Sequence, residues 1–424
     1  MDERIKKYNF DKGLKVFTFD VKESPFSAID ISIGVGSRFE DFSEIEMAHF
    51  LEHCMFSGTK NRPNNKVIGF EVESIGGSMN AVTRAEITSY YLKVPNENLK
   101  KAFEILSDMI INSTFEEKYI DLEKNIVIEE LKMYKDNPQY MAWYLLDELI
   151  FKDTIMGVSL DKQIDSTHKI DRSKVLSFID KHYFSNNIVI SIVGNISSID
   201  IESLVNTFFD IKVLQEGINT FSPIKFNNKE RVKLFNMNTT QTNFVVGMGS
   251  LTWTDNRIYI LNVLSCILGG GFGSLLFQIL RNEKGLVYGI NTSNIPFIDG
   301  GLFTISSGVD NKNFLSALRE TIKVLKDFKK GNFDDKDIKR AKEYIKAGMG
   351  ETYETVDSIA YSLSSGELLS KEILSLKEKQ RRVDLVSKDD VLHLFSDIFK
   401  DLYISAVTTF DNYDIVLDII SDVY

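Results

Sequence analysis

A chain of 424 residues is longer than one ordinary hydrophobic core accommodates, so two or three domains are expected. Its 50 basic and 61 acidic side chains give a net charge of −11, which argues against a nucleic-acid-binding surface. Two cysteines, Cys54 and Cys266, are too few for a disulfide framework. They suit a reducing compartment and are expected to be buried as small hydrophobic residues.

The first residues of the chain are charged and lack the apolar segment of a secretory signal, so we expect a cytoplasmic protein. In chain order, the local patterns are those of a mixed α/β protein. Residues 28–36 and 87–94 alternate as strands, residues 44–56 and 98–111 follow helical spacing, and residues 188–193 form a short buried strand. Residues 211–230 combine glycine, proline and asparagine, which is typical of a linker.

One uncharged stretch, between Arg257 and Arg281, is long enough to cross a bilayer. Polar residues and four glycines between Gly269 and Gly273 interrupt it. This composition favours two buried helices joined by a glycine turn, with a membrane span as the alternative. We therefore expect no membrane as a partner.

Three short segments of the first half recur in the second half in the same order. The separation is 213 residues for 33–37 with 246–250, 215 for 98–102 with 313–317, and 214 for 191–193 with 405–407. Each match alone is weak, but their shared separation indicates two homologous domains that arose by duplication. We expect an α+β fold in which each domain packs a mixed sheet with helices. The predicted domains cover residues 1–212 and 231–424, with a linker over 213–230.

The most specific chemistry lies in the segment His49-Phe50-Leu51-Glu52-His53. Its two histidines are four residues apart in a predicted helix, so both imidazoles reach a single metal ion. Glu52 lies off their line, which suits a base acting on a metal-bound water better than a further ligand. The alternative is an amphipathic helix with incidental histidines. The presence of five histidines in the whole chain argues against such a coincidence.

Three further segments extend this pattern: Phe-Ser-Gly-Thr at 56–59, Gly-Gly-Ser-Met-Asn-Ala-Val-Thr at 76–83, and Glu-Lys-Asn-Ile-Val-Ile-Glu-Glu at 123–130. With them, the sequence resembles the inverted-zincin peptidases of the pitrilysin/insulinase family, which include the mitochondrial processing peptidases. The resemblance spans residues 34–137, and weaker matches cover most of the remainder. It implies a metallopeptidase half-clamshell that binds one zinc ion per chain.

A catalytic zinc usually has three protein ligands, so two histidines leave the site one ligand short. Glu123 and Glu130 lie on one face of a predicted helix, and Glu130 follows His53 by 77 residues, which agrees with the family's spacing. Glu130 is the expected third ligand, and Glu123 is expected to orient a ligand from outside. Glu129, about 100° away around the helix, is the alternative ligand. Without the histidine motif, these glutamates would be read as a solvated helix face.

The second half lacks the zinc set, because a shift of 213 residues places Asn262, Ser265 and Cys266 where the first half has His49, Glu52 and His53. Residues 280–288 resemble the family's second-domain signature. The resemblance implies that Arg281 binds a substrate carbonyl and that Tyr288 donates to the developing oxyanion. A surface arginine and a half-buried strand tyrosine are the alternative. The other histidines, which have no partner at metal-ligand spacing and are expected to be structural, are His168, His182 and His393.

These features predict a zinc-dependent endopeptidase that hydrolyses peptides or unfolded segments, with Glu52 activating a zinc-bound water. The family's larger members enclose substrate in a chamber of two halves, so a chain of this length implies a homodimer. Peptides would bind as an added strand beside residues 77–83, where Asn80 and Ala81 are the candidate contacts. One alternative is a non-catalytic scaffold or assembly subunit of the same fold. Another is a subunit that is active only beside a different partner chain.

Overall fold

The computed structural model describes residues 2–210, 215–226 and 228–421. Three positions of the linker predicted over 213–230 lie outside these ranges, and the described linker residues form neither helix nor strand. The strands are β1 (Ile5–Asn9), β2 (Lys15–Asp20), β3 (Phe26–Ile33), β4 (Ser78–Thr83), β5 (Thr88–Pro95), β6 (Ile188–Gly194), β7 (Val232–Asn236), β8 (Gln241–Gly249), β9 (Val287–Pro296), β10 (Gly301–Asp310) and β11 (Tyr403–Thr408).

The α-helices of the described residues are α1 (Met47–Cys54), α2 (Asn65–Ser74), α3 (Leu99–Asn112), α4 (Glu117–Asp136), α5 (Pro138–Ile150), α6 (Leu160–Thr167), α7 (Arg172–His182), α8 (Ile201–Phe208), α9 (Ile258–Gly269), α10 (Phe314–Lys329), α11 (Asp335–Glu351), α12 (Val356–Ser365), α13 (Leu376–Asp384), α14 (Lys388–Ile398) and α15 (Tyr413–Ser421). Two π-helical segments cover Phe277–Glu283 and Gly366–Ser370.

Helix starts follow local side-chain chemistry. Several helices begin after a residue whose side-chain oxygen accepts an N–H of the first turn, which satisfies a donor that the helix itself leaves unpaired. These residues are Asn64, Asn137, Asp171, Asp200, Thr355 and Ser387. Apolar side chains at helical spacing then bury one face, as Leu99, Phe103, Leu106 and Ile110 do in α3. The helix predicted over 98–111 is thereby confirmed.

The chain divides into two compact units, each assembled from three segments. The first unit contains Met1–Leu131, Asp161–Ser222 and Gly350–Ser375, and the second contains Lys132–Leu160, Pro223–Met349 and Leu376–Tyr424. Compact units and homologous halves are different divisions of a chain, because a segment can pack against a core without belonging to its repeat. The boundaries of the homologous domains therefore stay a prediction.

A six-stranded mixed sheet forms the centre of the first unit, in the order β1-β2-β6-β3-β5-β4. The pair β2–β6 is parallel, and the other neighbours are antiparallel. The central strand β6 is buried along its whole length, as its Ile/Val-rich sequence, broken only by Ser191 before the final Gly194, indicates. The strands predicted over 28–36, 87–94 and 188–193 correspond to β3, β5 and β6, and β4 lies at the edge of the described sheet.

A five-stranded sheet in the second unit has the order β7-β11-β8-β10-β9. Its strands correspond one for one, in order and in direction, to β2-β6-β3-β5-β4: the first pair is parallel and the other three are antiparallel. Two sheets with the same strand order and the same orientations support duplication. The predicted α+β class with mixed sheets packed by helices is confirmed.

The uncharged stretch between Arg257 and Arg281 contains α9, a turn and the start of a π-helical segment. Gly271 in this turn has a φ of +76°, a conformation that glycine adopts without strain. Residues of α9 such as Leu264 and Ile267 belong to the core of the second unit. In the described ranges, no helix is both long enough and apolar enough to cross a bilayer. The predicted glycine turn between helices is confirmed, and both cysteines are buried as expected.

Candidate metal centre

Helix α1 has two faces of different character. Met47, Phe50, Leu51 and Cys54 are among its buried residues and anchor it in the core of the first unit. His49, Glu52 and His53 are half-buried on the remaining surface. The two imidazole rings are neighbours, with centroids 4.9 Å apart and planes at 86°. The four-residue spacing thus places both histidines side by side, as the sequence predicts.

A buried carboxylate caps the N-terminus of α1. Glu40 accepts hydrogen bonds from the Glu46 N–H at 2.9 Å and from the Ala48 N–H at 2.8 Å. Burial, reinforced by the charge of Glu46, raises the pKa of Glu40 well above its ordinary value. These two bonds fix the backbone at the start of α1, and so fix the position of His49 in the candidate site.

Glu130 from α4 meets both histidines. Its Oε2 lies 3.5 Å from Nε2 of His53 and 3.8 Å from Nε2 of His49. The three candidate ligand atoms all lie within 4.8 Å of one another. Donors that share a tetrahedral zinc ion stand about 3.3 Å apart, so small side-chain movements bring this set to bonding distance. Two imidazole nitrogens and one carboxylate oxygen are a donor set that suits zinc.

Two further carboxylates contact the candidate ligand histidines from outside the ligand set. Glu46 Oε1 lies 2.7 Å from Nδ1 of His49, and Glu123 Oε2 lies 3.5 Å from Nδ1 of His53. The hydroxyl of Ser57 donates a hydrogen bond of 3.4 Å to the other oxygen of Glu123. Each histidine therefore has a carboxylate on the nitrogen that faces away from Glu130. Such contacts orient ligand imidazoles.

The electrostatics of this cluster favour positive charge. Burial opposes the charged form of His49, but the hydrogen bond and charge of Glu46, together with the Glu130 carboxylate, raise the pKa of His49 to about 9. The carboxylates thus hold a proton at His49 in the metal-free site. The same carboxylates would stabilise a bound divalent cation. Its binding would release the proton, because a ligand nitrogen must be deprotonated.

Glu52 is held from the sheet rather than from the ligand set. The Thr83 hydroxyl at the end of β4 donates a hydrogen bond to Glu52 Oε2. Thr83 in turn lies 3.5 Å from the Thr88 hydroxyl, which donates to the carbonyl of Val35 at 2.8 Å. This chain of hydroxyls connects Glu52 to strand β5. The carboxylate is therefore oriented beside the histidines while standing apart from the three candidate ligand atoms.

The other predicted site residues of the first unit lie on α4 and β4. Glu129, the alternative ligand, is exposed and is not in the group of candidate ligands. Asn80 and Ala81 lie on β4, at the edge of the sheet as the predicted peptide-binding strand requires. Asn80 is exposed, and its side-chain oxygen accepts the N–H of Ala81 at 2.9 Å.

Arg281 and Tyr288 are in contact within the second unit. The guanidinium of Arg281 lies 4.8 Å from the ring centroid of Tyr288 and 4.8 Å from that of Phe277, which are cation–π distances. Tyr288 is 82% exposed, which is unusual for a large aromatic side chain. It also lines a groove of about 270 Å³ together with Trp143 and Asn243. The seven-residue spacing in the sequence therefore yields a paired, accessible arginine and tyrosine.

In the second half, the positions equivalent to the zinc set lie on helix α9, where they make hydrogen bonds instead of forming a ligand set. On α9, Asn262 accepts a bond from Asn294 at 2.9 Å, and the Ser265 hydroxyl donates to Thr292 at 2.9 Å. Cys266, the counterpart of His53, is buried. These small polar side chains tie α9 to β9, as α1 is tied to β4.

Sequence reasoning missed two contacts of the site. Glu46 touches His49, and the only sequence signal is its position three residues before that histidine, just outside the helix. Thr83 binds Glu52 across 31 residues of chain, although it stands in the segment 76–83 that carries the resemblance. Of the expected structural histidines, His182 is buried and bonded, while His168 and His393 are exposed.

Comparison with known proteins identifies the lineage of this site. Residues 15–162 match the family described as Insulinase (Peptidase family M16), and residues 169–345 match the Peptidase M16 inactive domain. Over 411 residues the chain is 31% identical to an uncharacterized zinc protease of Rickettsia bellii, covering 96% of this chain and 98% of that protein. The chain belongs to the M16 peptidase family.

Other relatives extend the M16 comparison. The uncharacterized zinc protease YmxG of Bacillus subtilis is 30% identical over 404 residues, which are 95% of this chain and 98% of that protein. A protease from Helicobacter pylori has the same fold, with a TM-score of 0.86 at 20% identity over 95% of this chain and 99% of that one. A Pseudomonas fluorescens structure described as a peptidase M16 inactive domain gives a TM-score of 0.87 at 18% identity, covering 96% and 98% of the two chains. These structures share the fold of this chain.

Proposed function

We propose that this M16 chain is a zinc-dependent endopeptidase with one zinc ion held by His49, His53 and Glu130. The observation that carries the proposal is the convergence of these three side chains within 4.8 Å, with Glu52 fixed beside them. Relatives that match nearly the whole chain are named zinc proteases, which supports the same metal.

Zinc at this site would act as a Lewis acid that acidifies a water molecule and polarises the scissile peptide carbonyl. The protein supplies the proton transfers. Thr83 holds Glu52 through Oε2, which leaves Oε1 to take the proton of the attacking water. The same carboxylic acid then gives that proton to the leaving amine. Glu52 is thus both base and acid in one turnover.

Peptide substrates are proposed to bind along β4. An edge strand offers backbone donors and acceptors to an extended peptide, which gives affinity with little sequence demand. Asn80 and Ala81 lie midway along this strand, and Thr83 at its end contacts the base Glu52. A substrate strand added there runs towards the scissile position. Unfolded segments satisfy this geometry, whereas folded proteins do not present a free strand.

Arg281 and Tyr288 are proposed to bind the substrate carbonyl and the developing oxyanion. Both are donors, and their mutual contact orders the guanidinium and the phenol beside an open groove. We propose that they serve a chamber formed by two copies of the chain. In this arrangement the residues of one copy complete the zinc site of the other.

The decisive experiment combines metal analysis with peptide cleavage. Purified wild type is expected to contain about one zinc per chain and to cleave a mixed peptide library, and a chelator should abolish cleavage. Glu52→Gln should keep the zinc and lose nearly all turnover, because it removes the base but no ligand. Glu129→Gln, an exposed change on α4, is the matched control and should keep both properties. Full activity in metal-free protein contradicts the proposal.

A second candidate is a scaffold or assembly subunit without turnover. It is favoured by the match of residues 169–345 to the M16 inactive domain. One structure with the same fold is a chain in Complex III2 from Candida albicans, with a TM-score of 0.82 at 16% identity, 98% coverage of this chain and 99% of that one. Zinc binding by wild type together with no hydrolysis of any library peptide favours this candidate over the first.

A further inference from the structure

Glu46, immediately before α1, has a strained backbone. Its φ is +69°, in the left-handed region where a side chain with a Cβ is disfavoured and glycine is not. A non-glycine residue stays in this region only when the surrounding structure imposes it, and such strain clusters at functional sites. The question is what the glutamate side chain supplies that glycine would not.

One carboxylate, that of Glu40, holds the backbone at Glu46 and at Ala48. Glu40 Oε2 accepts the N–H of Glu46 itself, and Glu40 Oε1 accepts the N–H of Ala48. Glu40 is only 7% exposed, so these bonds lie inside the protein. Glu40 thereby imposes the left-handed turn and the direction in which the Glu46 side chain leaves the chain.

The Glu46 side chain contacts His49, which lies one helical turn later in the chain. The Glu46 side chain is 11% exposed, and its Oε1 lies 2.7 Å from Nδ1 of His49. An ionised carboxylate only accepts hydrogen bonds, so the hydrogen of a neutral His49 sits on Nδ1. The lone pair is then on Nε2, the nitrogen that faces Glu130 Oε2. The contact is shorter than the 3.5 Å that separates Glu123 from His53.

We propose that Glu46 is a positioning residue for the metal centre, which orients the His49 ring and keeps its Nε2 lone pair directed at the ion. This inference rests on the proposed zinc site and adds a residue to its supporting shell. The left-handed backbone is the structural requirement for it, because it lets a residue outside the helix reach the outer nitrogen of His49.

The test measures zinc affinity and metal-free stability in the same variants. Glu46→Gly removes the carboxylate and relieves the strained φ. We expect zinc dissociation constants, measured by competition with a chromophoric chelator, to rise by about 10–100-fold. We also expect the melting temperature of the metal-free protein to change by no more than about 3 °C, because relief of the strained φ offsets the loss of the contact with His49. Affinity lost without stability lost is a result that a merely structural glutamate does not give.

Two further variants make the test specific. Glu46→Gln keeps an oxygen that can accept the Nδ1 hydrogen, so it should retain more zinc affinity than Glu46→Gly. Asp153→Gly relieves another left-handed residue, with a φ of +65°, at an exposed position in the second unit. It should leave the zinc dissociation constant unchanged.

The outcomes separate this inference from the proposed function. Wild type that fails to bind zinc overturns the proposed function and with it the premise of the inference. Wild type that binds zinc, with Glu46→Gly raising the dissociation constant by less than fivefold or lowering it, overturns the inference alone. A rise of fivefold or more in folded Glu46→Gly, with Asp153→Gly unchanged, supports it.

Discussion

Thr83 at the end of β4 donates its hydroxyl hydrogen to Glu52 on α1. In the second unit, the counterpart helix α9 and strand β9 are joined by the Ser265 hydroxyl, which donates to Thr292. The duplicated fold therefore has the same helix-to-strand contact in both copies, and a carboxylate occupies the helix position in the first. In the first unit this helix position carries Glu52, the residue that we propose as the base.

Thr83→Val should slow catalysis without releasing the metal. Valine has the shape of threonine but no hydroxyl, so Glu52 loses the partner that fixes Oε2. We expect kcat to fall by about 10–100-fold while zinc content stays at the wild-type level. Thr83→Ser, which retains the hydroxyl, is the control and should keep most of the activity. Undiminished kcat in the valine variant would show that Glu52 needs no support from β4.

Glu130 and Glu129 should differ sharply in their effect on the metal. Glu130→Gln replaces the carboxylate that faces both histidines with a neutral amide, which is a poorer zinc ligand, so zinc affinity should fall by more than the roughly 10–100-fold typical of an outer partner. Glu129→Gln changes an exposed side chain of the same helix and should leave zinc bound. Zinc content after dialysis against a chelator distinguishes them. Release of zinc by Glu129→Gln alone would reverse the assignment of the third ligand.

Much of this site follows from periodicity. The histidines of α1 share a face because they are four residues apart, and Glu123 and Glu130 share a face of α4 because they are seven residues apart. Strands such as β6 were equally predictable, since a strand buried on both faces is a mostly apolar run rich in β-branched residues. In each case the residues that decide the structure are neighbours in one element.

Contacts between elements were not predictable in the same way. The Thr83–Glu52 bond joins positions 31 residues apart, and no local pattern reports it. Glu46 lies outside the helical period, in a backbone conformation that glutamate seldom adopts. The membership of residues 350–375 in the first unit is also set by packing. Helical spacing in that segment predicts a helix but not the core against which it packs.

His182 should contribute a loss of stability to the metal-free protein on mild acidification. This ring is 1% exposed, and its Nδ1 lies 2.9 Å from Asn219 Oδ1. Asn219 donates its own N–H to Gly34, so Nδ1 carries the hydrogen. Nε2 has no partner among the described residues, and a proton there would be a buried, unsatisfied donor. Burial accordingly lowers the pKa of His182 from its ordinary value of 6.5.

The sign of this effect follows from the lowered pKa. Above pH 6.5, His182 is mostly neutral in both the folded and the unfolded protein. As the pH falls below 6.5, His182 of the unfolded chain binds a proton that the folded chain excludes. Wild type should lose at most about 1.4 kcal/mol per pH unit from this group until its folded pKa is reached. Between pH 7 and 5, the urea midpoint of His182→Phe should fall less, or rise more, than that of wild type. His168→Phe, at an exposed histidine, should leave the wild-type slope unchanged, and an unchanged slope in His182→Phe contradicts the assignment.

Arg281 and Tyr288 should serve the zinc site of a partner copy. The sequence resemblance implies that the pair acts from the half of a chamber that faces the zinc, and we propose that a second copy of the chain supplies that half. The double variant Arg281→Ala/Tyr288→Ala keeps its zinc set, and Glu52→Gln keeps its arginine and tyrosine. Co-expressed with different affinity tags and purified through both, they yield mixed dimers. Completion in trans gives each mixed dimer one intact site and one doubly damaged site.

Mixed dimers should therefore regain about half of the wild-type activity per dimer, far above either parent. If the pair acts within its own chain, every site carries a lesion and no activity returns. A pairing of Glu52→Gln with Glu130→Gln is the matched control, because both lesions lie in the zinc set and neither copy can repair the other. Sedimentation of wild type at the assay concentration completes the test. A fully active monomer would contradict the proposed two-copy chamber, because a single copy would then hold every residue that hydrolysis requires.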